Sequence, residues 1–576
     1  MRVWPCGLMF VLTVLPVQAA QPNLLLIITD DQGYGDLGCH GNPVLRTPHL
    51  DRLAQQSVWL RYFYVSPVCS PTRASLLTGL YSYRTGVVDT YLGRSLLRPQ
   101  VRTLAEHLAQ AGYRTGLFGK WHLGDLYPLR PEDRGFQETL WHRGGGLAQP
   151  SDPPYVEPHR AYFDPILQRN GQEVQGRGYC TDLFTRAAIQ FIQRHKDQPF
   201  FAYVAYNAPH APFQVPSQWV TFYRQQDLTP RGFPKIGQPW WSGPKLDTEA
   251  IAAAYGMIEN LDANIGRLLQ TLKELGLAER TIVVFMSDNG PGGVRWNGGL
   301  RGRKGSVYEG GIRVPCYVCW PGRWRGGRTL DLPLAHIDLV PTLCELCGVP
   351  WQGPSDGRSF APALLGRSQP WPDRTLFFQW HRGDEPVKYR AFAVRGPRYK
   401  LVQATGAAPG VPWTPRYELF DLNADPYEEH DLADKMPEMV AQLRREYEAW
   451  FAEVTRQGFE PPRIVLGSPQ APVVRLSRQD WRGPQAGWSE TSLGYWMVRI
   501  ARAGRYRVTI YAAEPIRQWE FLSEQTQPFR QRGSGDGQRT LILEPLELPA
   551  GEARWEVRLN DPPRGPTHVL VEYLGP

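Results

Sequence analysis

A cysteine lies just before a predicted helix in the stretch Val68 to Gly79, VCSPTRASLLTG. Ser70 is a residue type that favours the N-cap of a helix, and Pro71 suits the first helical position. Cys69 would then lie at the positive end of the helix, where free backbone N–H groups favour a bound anion. Arg73 follows one helical turn later and can bind that anion. The stretch predicts a reactive residue beside an anion site, although a buried cysteine before an ordinary helix has the same short pattern.

Two predicted strands end in acidic or amide side chains. The apolar run Leu24 to Thr29 is typical of a strand buried on both faces of a parallel sheet, and Thr281 to Ser287 is a similar run. Adjacent carboxylates after such runs are costly unless a cation or several donors compensate them, or unless they are solvated in a turn. These side chains offer only oxygen ligands, which favours a hard cation. They are Asp30, Asp31, Asp288 and Asn289.

Lysine and histidine side chains follow other predicted strands. Lys120 and His122 are two residues apart, so in an extended chain both would point to one side. The buried strand Pro199 to Tyr206 leads into His210, and Lys304 lies in the glycine-rich segment GRKGS. Each of these residues alone is more often structural than catalytic. Together they suggest proton transfer and charge compensation around a bound anion.

These segments together resemble the formylglycine-dependent sulfatases. The run CSPTRASLLTG, which begins at Cys69, matches the family signature, and GYRTGLFGKWH, which ends at His122, resembles the second signature. The segments around Asp30, His210 and Lys304 resemble further active-site segments of that family. Five separate segments match between residue 22 and about residue 450, so chance is a poor explanation.

The resemblance implies a specific nucleophile. In the family, the cysteine at the position of Cys69 is oxidised after translation to Cα-formylglycine (3-oxoalanine), an aldehyde that hydrates to a geminal diol and attacks sulfur. The division of proton transfers among His122, His210 and Lys304 stays open. The catalytic positions that the resemblance carries over are Cys69, Arg73, Lys120, His122, His210 and Lys304.

The resemblance also implies a cofactor and two partners. The cofactor is one calcium ion, although the residues alone do not exclude magnesium. The partners are a sulfated small molecule or glycan as substrate, and a formylglycine-generating or anaerobic sulfatase-maturating enzyme. Sulfatases carry a further contact near the segment WHRGGG, where His142 and Arg143 are candidates. The implied metal ligands are Asp30, Asp31, Cys69, Asp288 and Asn289.

Composition narrows the class of partner. The chain of 576 residues has a formal net charge of +8, which suits an acidic substrate, although most of these charges belong to a solvated surface. It contains no basic run and no recognisable nucleic-acid-binding motif, so we do not expect a nucleic-acid partner. The 20 tryptophans are a tendency of enzymes that act on carbohydrate.

The first twenty residues, MRVWPCGLMFVLTVLPVQAA, have one arginine, an apolar core and a small-residue end. This pattern predicts a signal peptide that is cleaved near Ala19. Cys6 precedes most of the apolar core, which argues against a lipoprotein anchor. No later stretch is apolar for long enough to span a bilayer. We therefore expect an exported protein, periplasmic or secreted, without a membrane span.

The fold class that the resemblance implies is α/β, with a large central mixed sheet flanked by helices as in alkaline phosphatase. From Arg390 the sequence alternates and turns, which predicts a smaller antiparallel sheet. Pro461 and Pro462 mark a boundary, and later alternation such as Tyr506 to Tyr511 predicts a β-sandwich-like region. We expect a signal peptide (1–20), a catalytic domain (21–380), an antiparallel-sheet subdomain (381–460) and an accessory β-rich domain (461–576). Tryptophans of the last region would pack against the main domain or bind sugar rings.

The remaining cysteines have three possible fates. The pairs Cys316-x-x-Cys319 and Cys344-x-x-Cys347 look superficially like a four-thiolate zinc site, but the distance between the pairs exceeds the usual spacing. Cys316 and Cys319 lie in the strand-like run VPCYVCW, which points them to opposite faces. We therefore favour core thiols or a disulfide over zinc.

Two other functions fit parts of the pattern. A phosphate or phosphonate monoester hydrolase of the same superfamily is the nearest, and some of these enzymes also use formylglycine. A non-catalytic protein that binds sulfated glycans would result if Cys69 stays unmodified. The sulfatase arrangement of the lysine, histidine and acidic segments favours sulfate ester hydrolysis.

Overall fold

The computed structural model describes residues 21–153, 157–367, 370–525 and 528–576. The predicted signal peptide lies outside these residues. Within the described ranges, none of the helices has the length and apolarity that a membrane crossing requires. The helices of these ranges are α1 (Pro48–Gln56), α2 (Cys69–Thr78), α3 (Leu104–Gln110), α4 (Cys180–Arg194), α5 (Ser217–Val220), α6 (Thr248–Glu274), α7 (Glu309–Ile312), α8 (Leu339–Leu346), α9 (Ala361–Leu364) and α10 (Pro437–Val454).

A ten-stranded mixed sheet forms the centre of the molecule, in the order β10-β2-β9-β8-β1-β7-β3-β4-β5-β6. Strands β8, β1, β7, β3 and β4 are parallel neighbours, so their carboxyl ends share one edge. The strands are β1 (Asn23–Thr29), β2 (Val58–Tyr64), β3 (Arg114–Lys120), β4 (Glu138–His142), β5 (Ile166–Arg169), β6 (Gln172–Gln175), β7 (Phe200–Ala205), β8 (Thr281–Ser287), β9 (Cys316–Cys319) and β10 (Arg328–Ala335).

Both faces of this sheet are buried, which explains why its central strands are continuous apolar runs. Leu24, Leu26 and Ile28 of β1 face one hydrophobic core, and Leu25 and Ile27 face the other. Helix α6 covers the second face with apolar residues at helical spacing. Burial on both faces fixes the register of the strands and therefore the position of every residue that follows them.

Two smaller β regions complete the α/β fold. An antiparallel sheet contains β11 (Leu376–Gln379), β12 (Phe392–Arg395), β13 (Tyr399–Gln403) and β14 (Glu418–Asp421), so its first strand precedes the boundary predicted at residue 381. Two five-stranded sheets then form a sandwich-like unit. Its strands are β15 (Ile464–Leu466), β16 (Val473–Ser477), β17 (Tyr495–Ile500), β18 (Gly504–Tyr511), β19 (Gln518–Glu524), β20 (Phe529–Ser534), β21 (Thr540–Ile542), β22 (Leu546–Leu548), β23 (Gly551–Leu559) and β24 (His568–Gly575).

The sequence suggested that the tryptophans of this last unit would pack against the catalytic part, but they pack mainly inside the unit itself. Trp481, Trp496 and Trp555 are fully buried in the unit's own core, because the inward-facing residues of its two sheets must fill the space between them. The contact between the two parts is made by Leu92 of the catalytic part, which is buried in the core of the last unit.

The cysteines of the two Cys-x-x-Cys pairs are core thiols. Every cysteine in the described ranges is unpaired. Cys316 and Cys319 belong to the cores on opposite faces of the central sheet, as their spacing predicts. The structure therefore supports neither the disulfide nor the zinc alternative for these residues.

Candidate active site

Helix α2 begins at Cys69, two residues earlier than the sequence suggested. Its N-cap is Val68, so the prediction that Ser70 caps the helix is wrong. The Ser70 hydroxyl instead donates to the backbone oxygen of His122 at 2.8 Å, which ties the first turn of α2 to the loop after β3. Cys69 is 2% exposed at the positive end of this helix.

Arg73 lies one turn further along α2 and is completely buried. Its Nε and Nη2 atoms donate to Asp288 Oδ2 at 3.1 and 2.8 Å, and Nη1 donates to the backbone oxygen of Lys120 at 3.0 Å. Burial alone would lower the pKa of Arg73, but the Asp288 carboxylate outweighs it and raises that pKa. Arg73 therefore orients Asp288 and the end of β3.

The two aspartates after β1 each bind one lysine. Lys120 Nζ lies 2.6 Å from Asp30 Oδ2, and both side chains are fully buried. Lys304 Nζ lies 2.5 Å from Asp31 Oδ1, and 23% of the lysine side chain is exposed. Each aspartate thus gives one oxygen to a lysine and keeps the other. His210 reaches this second oxygen of Asp31 from 3.9 Å.

The ends of β1 and β8 are joined directly. The backbone N–H of Asp31 donates to Asp288 Oδ1 at 3.1 Å, and the Asn289 amide donates to Asp31 Oδ1 at 2.8 Å. Asp31 has φ 65°, a left-handed conformation that turns the chain sharply after the strand. Such a conformation is held by the surrounding structure and is common at functional sites.

The residues present fit a hard cation. Ligand atoms of Asp30, Cys69 and Asp288 all lie within 4.8 Å of one another, and Asp30, Asp31 and His210 form a second such group. Asp30 Oδ1 and Asn289 Oδ1 are buried acceptors without a donor among the described residues. Leaving buried acceptors unpaired is costly, and a cation among them would compensate the cost.

Burial and neighbouring charges shift the pKa values of the titratable groups. Burial, reinforced by the negative charge of Asp30, raises the pKa of Asp288 to about 6. Burial would also raise the pKa of Asp31, but Lys304, His210 and Lys120 together hold it well below its usual value. Burial raises the pKa of the Cys69 thiol, so an unmodified Cys69 would be a poor nucleophile.

The two histidines are neutral near pH 7. Burial, and then the charge of Lys120, lower the pKa of His122 well below 6.5. Burial and Lys304 lower the pKa of His210 to about 3. Strand β3 ends at Lys120 and His122 has φ 63°, so the extended chain that the sequence suggested does not reach His122. His122 Nε2 donates to the backbone oxygen of Thr90 at 2.7 Å, and Nδ1 is buried without a partner among the described residues.

The WHRGGG segment contributes residues that the sequence did not single out. His142 is buried in register with Lys120, and its Nδ1 donates to the backbone oxygen of the adjacent Arg143, whose side chain lies 3.7 Å from Glu173. The next glycines instead make room for the two site histidines. A Cβ on Gly145 would lie 2.6 Å from the His122 ring, and one on Gly146 would lie 3.2 Å from His210 and 2.8 Å from the Gln149 amide. The triple glycine was the available indication of this close approach.

The ten predicted site residues thus lie around one edge of the central sheet. Comparison with known proteins indicates the same family as the sequence motifs. The sequence model of the sulfatase family matches residues 22–349, and the model described as N-sulphoglucosamine sulphohydrolase, C-terminal, matches residues 303–453. Arylsulfatase A of Homo sapiens is 32% identical over 491 residues, which cover 77% of this chain and 90% of that protein.

Solved structures agree on the fold. The crystal structure of Ps i-CgsB in complex with k-i-k-neocarrahexaose is 29% identical with a TM-score of 0.63, covering 77% of this chain and 95% of that one. The phosphonate monoester hydrolase of Agrobacterium radiobacter is 22% identical with a TM-score of 0.55, covering 76% and 96%. The second likeness concerns the fold alone.

Proposed function

This chain belongs to the sulfatase family and is a sulfuric ester hydrolase, and we propose that it removes sulfate from carbohydrates by means of a formylglycine at position 69 and a calcium ion. The observation that carries the proposal is the alternation of three carboxylates and three cations around Cys69. The pairs are Lys120–Asp30, Lys304–Asp31 and Arg73–Asp288.

These pairs leave the site close to neutral, so a divalent cation would make it a receptor for an anion. Asp30, Asp31 and Asn289 would hold calcium through oxygens that accept no hydrogen bond, and Asp288 through the remaining lone pairs of its hydrogen-bonded carboxylate. When present, calcium and the hydrated aldehyde of residue 69 would supply a Lewis acid and an oxygen nucleophile.

The side chains of this protein would bind the sulfate and move its protons. Lys120 and Lys304 would compensate the charge of the sulfate oxygens, and Arg73 would hold Asp288 in place. The proton for the departing alcohol oxygen would come from Lys304 or from His210. His210 is neutral in the free protein and its Nδ1 donates to the Ala211 oxygen, so it would act only as the imidazolium that the negative charge of a bound sulfate ester favours. His122 Nδ1 is buried and has no partner among the described residues. It would accept a proton from a hydroxyl of the hydrated aldehyde at residue 69.

A cavity beside the site supports a carbohydrate substrate. It has a volume of about 360 Å³ and is lined by Val68, Lys304, Arg303 and Arg382, with no carboxylate in its lining. This volume exceeds that of a sulfate group and leaves room for the ring that carries it. The Arg303 side chain is exposed and has no ion pair among the described residues. The oligosaccharide bound to the similar protein Ps i-CgsB points in the same direction.

The proposal also includes export of the chain and conversion of Cys69 by a partner enzyme. The apolar N-terminal twenty residues support export to the periplasm or the medium. Conversion of Cys69 requires a formylglycine-generating or anaerobic sulfatase-maturating enzyme as a partner. The segment CSPTRASLLTG supports such a partner, because it resembles the signature that these enzymes modify.

Mass spectrometry of the peptide around residue 69, from protein produced with a maturation enzyme, tests the nucleophile. We expect the mass of formylglycine, together with hydrolysis of an aryl sulfate that Cys69→Ala abolishes. An unmodified thiol in active protein would overturn the proposed nucleophile. The rate on an aryl phosphonate, measured beside the rate on the aryl sulfate, separates a sulfatase from a phosphonate hydrolase. A preference for the phosphonate would contradict the sulfate assignment.

A further inference from the structure

The carbonyl oxygen of Thr90 accepts hydrogen bonds from two distant parts of the chain. One donor is His122 Nε2 at 2.7 Å, and the other is the side-chain amide of Gln479 at 3.1 Å. Thr90 and Gln479 are 389 positions apart in the sequence. Gln479 lies in the accessory β region, beyond both family matches, which end at residues 349 and 453.

The contact belongs to an interface between the loop around Thr90 and the accessory region. The Gly93 N–H donates to the backbone oxygen of Gln479 at 2.8 Å, and Arg482 Nη1 donates to Gly93 O at 3.1 Å. Leu92, between these contacts, is buried in the hydrophobic core of the accessory region. Gln479 itself is 2% exposed. The loop around Thr90 is therefore held by the accessory region through backbone and apolar contacts.

This arrangement decides which nitrogen of His122 carries the proton. A backbone carbonyl can only accept, so Nε2 of His122 must donate and therefore keeps its hydrogen. Nδ1 is buried without a partner among the described residues, so it is the nitrogen left to carry the lone pair. The Thr90 oxygen can serve this purpose only if it stays within hydrogen-bonding distance of the ring.

We propose that Gln479 is a positioning residue for His122, and that the accessory β region is therefore part of the catalytic unit. Its amide fixes the Thr90 carbonyl, which in turn fixes the tautomer and orientation of the imidazole. The inference rests on the proposed function, in which His122 Nδ1 accepts a proton. Ser70 holds the backbone of His122 from the other side, so the ring is fixed between the nucleophile helix and the accessory region.

The test uses Gln479→Leu, which keeps much of the side-chain volume but has no donor, and Gln479→Glu, which replaces the amide by an acceptor. Arg482→Met is the matched control, because Arg482 holds the same loop without contacting Thr90. Arg507→Gln removes an exposed ion pair far from the loop and controls for the accessory region in general. All variants contain both the catalytic part and the accessory region, and those used for kinetics carry formylglycine.

Two measurements separate positioning from simple stabilisation. We expect both Gln479 variants to lower kcat on an aryl sulfate about tenfold with KM within twofold, and both arginine variants to keep kcat within twofold. In ¹⁵N-histidine NMR of the unmodified Cys69 protein, we expect the Nε2–H form of His122 to lose population in the Gln479 variants. The signal is identified by its absence in His122→Gln.

Three results would overturn the inference: unchanged kcat in folded Gln479 variants, an unchanged His122 tautomer, or an equal loss of kcat in Arg482→Met. If one Gln479 variant does not fold, the other carries the test. Failure of the proposed function has a different outcome, since the wild-type protein with formylglycine would then not hydrolyse sulfate esters. The NMR measurement still tests the positioning of His122 in that case.

Discussion

Two largely buried clusters of charge in the described part of the chain differ in a way that bears on function. The first surrounds Cys69 and contains the three ion pairs that Lys120, Lys304 and Arg73 form with aspartates. The second joins α7 to the small antiparallel sheet, where Lys400 Nζ lies 2.9 Å from Glu309 Oε1. Glu428 Oε1 forms an ion pair with the same Nζ at 2.8 Å without hydrogen-bond geometry.

The pKa values alone do not distinguish the clusters. Burial is the main cause that raises the pKa of Asp288 to about 6 and that of Glu428 to about 7. Access and spare acceptors do distinguish them. Lys304 and His210 are 23% and 16% exposed, whereas Lys400, Glu309 and Glu428 are at most 1% exposed. Several acceptors of the first cluster converge on one point, while Glu428 accepts the backbone N–H of Glu309 and so connects two elements.

The largest difference should appear when each cluster loses its lysine. Lys304→Met removes a cation next to the sulfate, so we expect kcat/KM on an aryl sulfate to fall by about 10²–10³-fold. The melting temperature should stay close to that of the wild type, because the lysine is partly solvated. A loss of less than tenfold would show that Lys304 does not contact the reacting group.

Lys400→Met should have the opposite effect. It leaves Glu428 buried without its cation and Glu309 with Arg313 alone among the described residues, and we expect a loss of about 3–5 kcal/mol of stability in denaturant unfolding. The kcat of the molecules that remain folded should stay within twofold, as determined by active-site titration. Lys435→Met, at an exposed lysine of the same subdomain, serves as the control. A large loss of kcat would mean that the second cluster also supports catalysis.

Calcium should act on the first cluster alone. Chelation should abolish activity and lower the melting temperature, and calcium at 100 times its Kd should restore about 2.7 kcal/mol of stability. Asp30→Ala should lose this calcium-dependent shift, whereas Glu428→Gln should keep it. A shift that depends on Glu428 would assign the ion to the wrong cluster.

The smallest effect should come from the glycine that packs on His122. In Gly145→Ala the new Cβ would lie 2.6 Å from the ring, which must move, and we expect kcat to fall about tenfold. Gly396→Ala, near Lys400, places its Cβ 3.3 Å from a backbone oxygen and should leave kcat unchanged. Equal rates in both variants would show that His122 tolerates displacement.

The sequence predicted the strands and the acidic residues at their ends because burial on both faces leaves a continuous apolar run. It also predicted that these residues would meet, since parallel strands share one carboxyl edge. It failed where a side chain has a distant partner. The hydroxyl of Ser70 is a good N-cap in isolation, but His122 O, 52 positions away, takes it as a donor.

The same limit applies to the residues that were missed. Nothing local in the sequence indicates that Gly145 faces an imidazole or that Gln479 reaches the loop of Thr90. Both facts depend on how separate parts of the chain pack, and spacing along one segment does not contain that information. The positive φ of His122 has the same origin, because contacts from two sides hold it in place.

The pairing of β1 with β8 also sets an order of events during synthesis. Asn23 and Thr281, the first pair of these strands, are 258 positions apart. At ribosomal speeds of about 5–20 residues per second, about 13–50 s pass between their syntheses. Asp288, which pairs with Arg73 one turn after Cys69, is synthesised 219 positions after Cys69, or about 11–44 s later at the same speeds. Under the proposed function, this is the interval in which a maturation enzyme would reach Cys69 before the completed sheet buries it.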